Sequence, residues 1–307
     1  MNYRFNVNNR NLTLEESALI NNFLFKLLQK PFTHLIYRGE SIENLKNKLN
    51  INNNDNLIEK LNDLIFSIGE KGRIYQLRFF ENLKSKSIFS IDDTSENVFK
   101  YIFNKINHVL KTSKNSEIKN FILNNSEFNI YFQDKENIKI FVSKVKKMNH
   151  KESLEIRDYY LKFLHRVGYV GFYLNSFLLS TTTSKQVANK FTKNGDIIFV
   201  SWNRKKKYKI SNIKITNNFP TFNFGIYKSQ KEITLKGGFF PQEILGFIEK
   251  STNIFHLNPN IFNYPDLTDY MIENGIPTDQ SNFHEILSTT NYSGSFHSDG
   301  INITDNI

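Results

Sequence analysis

The chain changes its hydrophobic rhythm part-way along, and that change limits the folds open to it. From Ser95 to Lys111, apolar residues recur at Val98, Phe99, Ile102, Phe103, Ile106, Val109 and Leu110, the three-and-four spacing of one helix face. Leu57 to Ile68 and Glu152 to His165 read the same way. After Phe172 the rhythm shortens to continuous apolar runs bounded by turn residues: Phe177-Leu178-Leu179, Asp196 to Trp202, and Ile233-Thr234-Leu235 before Gly237-Gly238. An earlier run, His34-Leu35-Ile36-Tyr37, has the same character. Such runs are short for helices and suit buried strands. A mixed α and β chain follows, with its strands concentrated in the second half.

The ends are simpler. Within residues 1–30, Thr13-x-x-Glu16 precedes Ala18, Leu19, Ile20, Phe23 and Leu24, the pattern of a capped amphipathic helix that packs on a core. Residues 251–307 turn polar and rich in Asn and Ser; Pro265 to Ile272 predicts one short helix, and the end from about Ser288 reads as disordered. Length allows one sizeable core, or a core with an extra lobe, and 29 Phe with 14 Tyr among 307 residues argue for a folded protein. No internal repeat is visible.

Composition removes several chemistries. Without cysteine there is no disulfide framework, thiolate nucleophile or cysteine-ligated metal. The seven histidines lack metal-ligand spacing, and His34 and His165 read as packing or surface residues. No apolar run reaches the roughly 18 residues of a membrane span, and the N-terminus lacks the apolar core of a secretory signal, so the expectation is a soluble protein. A net charge of +10 invites a nucleic-acid reading. Its densest run, Arg204-Lys205-Lys206-Lys207 with Lys209, reads as a solvated hairpin loop or as a contact for an acidic surface, anionic lipid or a phosphate backbone.

Three short motifs carry possible chemistry. Arg38 ends the first strand-like run and precedes Gly39; Ser180 ends the second and leads into Thr181-Thr182; Glu232 opens the third after Gln230-Lys231. Period-two alternation predicts Gln230 and Glu232 on one face of an extended segment. Thr183 with Gln186 forms a capping-box pattern, so a helix is expected to begin there and to carry Val187, Ala188 and Phe191 on one face. Alone, an Arg-Gly is ordinarily a turn, a Ser-Thr-Thr a helix cap, and a Gln-x-Glu solvated surface.

Together and in this order they resemble the signature of the mono-ADP-ribosyltransferases, in the Arg/Ser-Thr-Ser/Glu branch that includes bacterial toxins and effectors. The resemblance covers residues 31–48 and 166–249 and sets Arg38 and Ser180 142 positions apart, more than the family uses. It implies an α+β fold of two packed, mostly antiparallel sheets with an NAD cleft between them. A transferase domain over 31–250 would then carry a helical insert at about 50–165.

It also implies roles. Cleavage of NAD develops oxocarbenium-like charge on the ribose, which Glu232 would offset. Arg38 would grip the pyrophosphate as a forked cation, with Gly39 allowing close backbone approach to the nicotinamide. Ser180 would brace Glu232, Thr181 would line the NAD site beside it, and Phe191 would lie near the nicotinamide. Phe222, Phe224 and Tyr227, in the aromatic loop before Gln230, would meet the protein acceptor or else alternate into the core. NAD is the co-substrate and no metal is required.

Two departures refine this. Thr182 replaces the final serine of Ser-Thr-Ser. Gln230 replaces a glutamate that accompanies arginine modification; a glutamine donates and accepts hydrogen bonds but cannot act as a base. Gln-x-Glu resembles the Rho-modifying clostridial exoenzymes, so an asparagine, glutamine or threonine acceptor on a host protein, for instance a small GTPase, is expected. Delivery into a host would use a route without a cleaved signal. The alternatives are NAD hydrolysis, transfer to nucleic acid at the same site, and a non-catalytic binding module with a basic surface.

Overall fold

The computed structural model describes residues 4–28, 35–49, 51–52, 56–68, 94–167, 178–193, 196–202, 215, 219–222, 228–236, 239 and 244–263. The chain divides into two compact units. One comprises Met1–Asn82, Ser180–Tyr208 and Gly237–Ile307; the other comprises Leu83–Leu179 and Lys209–Lys236. The protein is α+β.

The first unit holds a mixed sheet. Its strands are β1 (Arg4–Val7), β2 (Arg10–Asn11), β3 (Leu35–Glu40), the end of β4 (Leu178–Thr182), β5 (Ile197–Trp202), β7 (Ile244–Glu249) and β8 (Ile254–Leu257). They lie in the order β2-β1-β8-β7-β5-β3-β4. Every described pairing in this order is antiparallel except β1 with β8, where Phe5 faces Phe255 in parallel register. Strands β7 and β5, the latter formed by the run read at 196–202, therefore lie at the centre, and all six residues of β5 are buried. Within the N-terminal segment, β1 and β2 join the sheet ahead of the helix, although Arg4-Phe5-Asn6-Val7 is too short and polar a run to announce a strand. Similarly, β8 and the short α10 (Asn260–Asn263) give order to the start of the C-terminal extension. The expected helix at 265–272 and the polar end lie outside the described residues.

Three helices of this unit follow from sequence signals. In α1 (Leu14–Leu28) the expected capping box is present: the Glu16 amide donates to Thr13 Oγ1 at 3.1 Å, and the Thr13 amide donates to Glu16 Oε2 at 2.8 Å. Ile20 and Phe23 are buried, and Phe23 meets Trp202 of β5 edge-on at 5.6 Å, while Ala18 and Leu19 are exposed. After α2 (Ile42–Leu49) comes α3 (Leu57–Ile68), which stacks Phe66 on Phe247 of β7 at 5.9 Å. That part of the expected insert thus belongs to the sheet unit. The short α9 (Lys185–Lys190) starts one residue later than the Thr183 pattern suggested: Ser184 is the N-cap and accepts from the Val187 amide. Serine serves because its hydroxyl reaches the third amide of the first turn.

The second unit is mainly helical: α4 (Glu96–Thr112), α5 (Ser116–Asn124), α6 (Ser126–Gln133), α7 (Asn137–Lys146) and α8 (His150–Arg166), with β6 (Glu232–Lys236). All seven apolar positions read from the α4 pattern are buried. Its core is aromatic. Phe128 and Phe132 lie 4.7 Å apart, Phe103 and Phe132 5.1 Å, and Phe132 and Tyr160 5.2 Å. Rings at these separations prefer tilted and edge-to-face contacts, as here. Helix α8 carries a complete capping box between Asn149 and Glu152 and is buried over most of its length from Ile156 to His165. A helix enclosed on all sides with Arg157, Asp158, Lys162 and His165 inside must pair those groups; Arg157 Nη2 meets Asp158 Oδ1 at 2.7 Å.

Candidate functional site

In the sheet unit, β3 places Arg38 mid-strand rather than at its end, opposite Phe199 of β5. Its guanidinium faces inward. Nη1 donates to the Ser180 carbonyl at 2.8 Å, and Nη2 meets Glu40 Oε2 at 2.6 Å, with both side chains almost fully enclosed. Glu40 Oε1 in turn accepts from Asn44 Nδ2 at 3.1 Å. Arg38 and Ser180, 142 positions apart in sequence, are therefore neighbours, as strand pairing of β3 with β4 requires.

Gly39 has a reason of its own here. A Cβ added to it would run into the Ala188 carbonyl oxygen and the Thr192 methyl, so its bare backbone is what lets α9 lie against β3. Thr181 and Thr182 are buried, and Thr182 Oγ1 accepts from the Ser184 amide at 3.1 Å. Thr182 thus closes the turn that leads into α9, one step before its N-cap Ser184. Phe191 stands at the C-cap of that helix and is 56% exposed, off the buried face that Ala188 occupies.

In the helical unit, Glu232 is the first residue of β6, as the sequence pattern indicated. Gln230 is not on that strand. Lys228–Gln230 form a 3-10 turn, and Lys231 takes φ 46, a left-handed conformation that breaks the extended run. Period-two alternation therefore does not relate Gln230 to Glu232, and the expected shared face is corrected: the strand begins only after the kink.

Glu232 has a hydrogen-bond donor at one oxygen and a cation beside the other. Thr234 Oγ1, from the same face of β6, donates to Oε1 at 2.9 Å, and Arg166 Nε lies 3.0 Å from Oε2. His165 Nε2 is 3.9 Å from Oε1. The side chain of Glu232 is 8% exposed and that of Arg166 14%. Lys162, one turn before Arg166 on α8, is also enclosed. Burial pushes its ammonium down to about 8, the charge of Arg166 adds to the fall, and Glu232 opposes it.

Comparison with family models, with curated proteins and with solved structures finds no match. The site must be judged on its own chemistry. A buried carboxylate fixed by a hydroxyl donor and set beside a guanidinium holds negative charge in a defined place, and that is the capability Glu232 offers.

Phe222 is half-buried and its ring packs on the aromatic core of the helical unit. Its ring lies 4.7 Å from Tyr159, 5.5 Å from Phe128 and 5.6 Å from Phe121, and its amide donates to the Tyr159 hydroxyl at 2.9 Å. Phe224, Tyr227, His34, Gly237-Gly238 and the basic run at 204–207 lie outside the described residues. Among the described residues, no group of three His, Cys, Asp or Glu could hold a metal, and no helix is long and apolar enough to cross a membrane.

Sequence reading missed Arg166 and Thr234 and set His165 aside. A signal was present: in Tyr159-Tyr160-Leu161-Lys162-Phe163-Leu164-His165-Arg166, Lys162 interrupts an apolar run, and His165 and Arg166 follow at three and four residues. On a helix those are one face.

Proposed function

We propose that this chain is a mono-ADP-ribosyltransferase that moves ADP-ribose from NAD to a side chain of a protein. The reading is carried by Glu232, an enclosed carboxylate at the head of a strand that accepts a hydrogen bond from Thr234 at one oxygen and pairs with the Arg166 guanidinium at the other. In the reaction the bond between ribose C1′ and the nicotinamide nitrogen breaks. A nucleophilic atom of the acceptor bonds to C1′, nicotinamide leaves with the electron pair of the broken bond, and the acceptor's proton passes to solvent. Between bond loss and bond gain the ribose carries positive charge, which Glu232 offsets.

The other residues take supporting parts in this reading. Arg38 grips the pyrophosphate in competition with Glu40, its partner in the sheet. Ser180 and Thr181 line the NAD site beside it, and the exposed ring of Phe191 offers a flat surface to the nicotinamide. Gln230 orients an amide or hydroxyl acceptor, which favours Asn, Gln or Thr over Arg. The two-sheet cleft for NAD, a host protein such as a small GTPase as target, and action as a secreted toxin or effector all belong to the same proposal.

The test is incubation of labelled NAD with a eukaryotic lysate, with wild-type protein beside Glu232→Gln. Wild type should label one host protein at one residue, and Glu232→Gln should lower transfer roughly 100- to 1000-fold. Undiminished labelling by Glu232→Gln would remove the assignment. Label on arginine would remove the acceptor class, and free ADP-ribose formed at full rate without target would favour hydrolysis.

A further inference from the structure

We infer that the recess between α4 and α7 is a docking groove for an acidic peptide segment that carries an aliphatic side chain. Aromatic packing fixes the two helices: Phe141 of α7 lies 6.0 Å from Phe99 and 5.8 Å from Phe103 of α4, and all three rings are buried. The recess encloses about 340 Å³. Helical spacing builds its walls. On α4, Glu96 and Lys100 share a face; on α7, Ile138, Val142 and Lys146 recur at the same interval, with Lys139 and Ser143 beside them. Val142 is buried and Ile138 half-buried, whereas Ser143 and the lysines are exposed, which gives an aliphatic floor under a basic rim.

Three ammonium groups line the recess with one carboxylate. Glu96 Oε1 meets Lys100 Nζ and Glu96 Oε2 meets Lys146 Nζ, each at 2.5 Å, so lysines from two helices converge on one carboxylate. An ammonium has three donors, and one such contact leaves others for a second acceptor. Lys139 pairs at 3.5 Å with Glu136, but both side chains are over 80% exposed and water weakens that pair. Among the described residues, no arginine lines the recess to fork a phosphate and no aromatic ring lines it to stack a base. Ammonium groups above Ile138 and Val142 instead complement a glutamate or aspartate next to leucine, isoleucine or valine. The groove shares no residue with the Glu232 site and would serve a transferase or a binding module alike.

The experiment is fluorescence anisotropy of a labelled Glu-Glu-Leu-Glu-Glu peptide with the full chain at about 0.05 M ionic strength, where screening is weak. Wild type should bind saturably. Ser143→Tyr, which fills the recess from an exposed position, should weaken binding about tenfold or more. Exchanging the peptide's leucine for serine, or its glutamates for glutamine, should each cost about fivefold or more. Glu96→Gln removes the competing carboxylate and should tighten binding about three- to fivefold. Glu127→Gln makes the same charge change at an exposed site outside the recess and should stay within about twofold of wild type. If Ser143→Tyr does not fold by melting temperature, Lys139→Ala replaces it, with about a threefold loss expected at that exposed charge. No saturable binding, a blocking variant that binds like wild type, or Glu96→Gln no tighter than Glu127→Gln overturns the groove. Binding that survives either peptide exchange overturns the partner chemistry. A labelled oligouridine that binds more tightly than the peptide, and is lost in the blocking variant, makes the site one for a phosphate backbone and overturns the peptide assignment.

Discussion

Arg38 and Glu40 stand two residues apart on one strand, on the same face of β3, and meet at 2.6 Å with their side chains 7% and 6% exposed. Same-face neighbours in a strand do not usually bond each other, since the pleat holds their Cα atoms well apart. Here two long side chains bend together, with the Ser180 carbonyl accepting from Arg38 and the Asn44 and Ser41 amides donating to Glu40.

Removing one member of such a pair leaves the other charge enclosed without its partner. Glu40→Gln should therefore cost roughly 3 kcal/mol or more in urea unfolding. The same substitution should tighten NAD binding to Arg38 if phosphate and Glu40 compete for one guanidinium. Isothermal titration at matched ionic strength reads this directly, and weaker binding would count against the role given to Arg38.

Gly39 should tolerate no side chain. Gly39→Ala drives a methyl into the Ala188 carbonyl and the Thr192 methyl, and the first of these is backbone that cannot rotate away. A loss of about 1–3 kcal/mol is expected from thermal or urea unfolding. A neutral outcome would mean that α9 does not lie on β3 as described.

Phe222 offers a choice between surface and core. As a core ring it should cost about 2–4 kcal/mol on replacement by alanine, because Tyr159, Phe121 and Phe128 lose a partner together. A variant of unchanged stability but altered target labelling would restore the acceptor role expected from the sequence.

Lys162 makes stability depend on alkaline pH. Its folded value, about 8, lies below the ordinary 10.5. Between those values the unfolded chain binds a proton that the native chain does not, so stability rises with pH across the window. Below pH 8 the full penalty of the enclosed charge is present, on the order of 3 kcal/mol; above 10.5 both states are neutral and it vanishes. Lys162→Met should therefore be more stable than wild type at pH 7.5, with the two converging at pH 10.5 in urea unfolding. A difference that does not shrink with pH would show that packing, not charge, sets the effect.

The sequence alone determined elements whose cause is local. Helix α4 is written in seven apolar residues at helical spacing, α1 in its Thr13 and Glu16 box, β5 in an unbroken apolar run. These need no distant partner to be recognised, because spacing and capping act within a few residues. Two more helices were within reach. Asn-Ser-Glu occurs at 115–117 and again at 125–127, and each copy opens a helix, α5 and then α6.

Tertiary structure decided what depends on neighbours. The strand β1, short and polar, holds its place through parallel pairing with β8. Lys231 interrupts the Gln-x-Glu alternation with a positive φ that no propensity rule assigns to lysine. Gly39 is explained only by the helix above it, and Glu232 only by the cation that α8 and the hydroxyl that β6 bring to its two oxygens. A motif names its residues, but the direction of a side chain and the partner it meets come from chain segments far away in sequence. The proposed chemistry of Glu232 rests on that convergence.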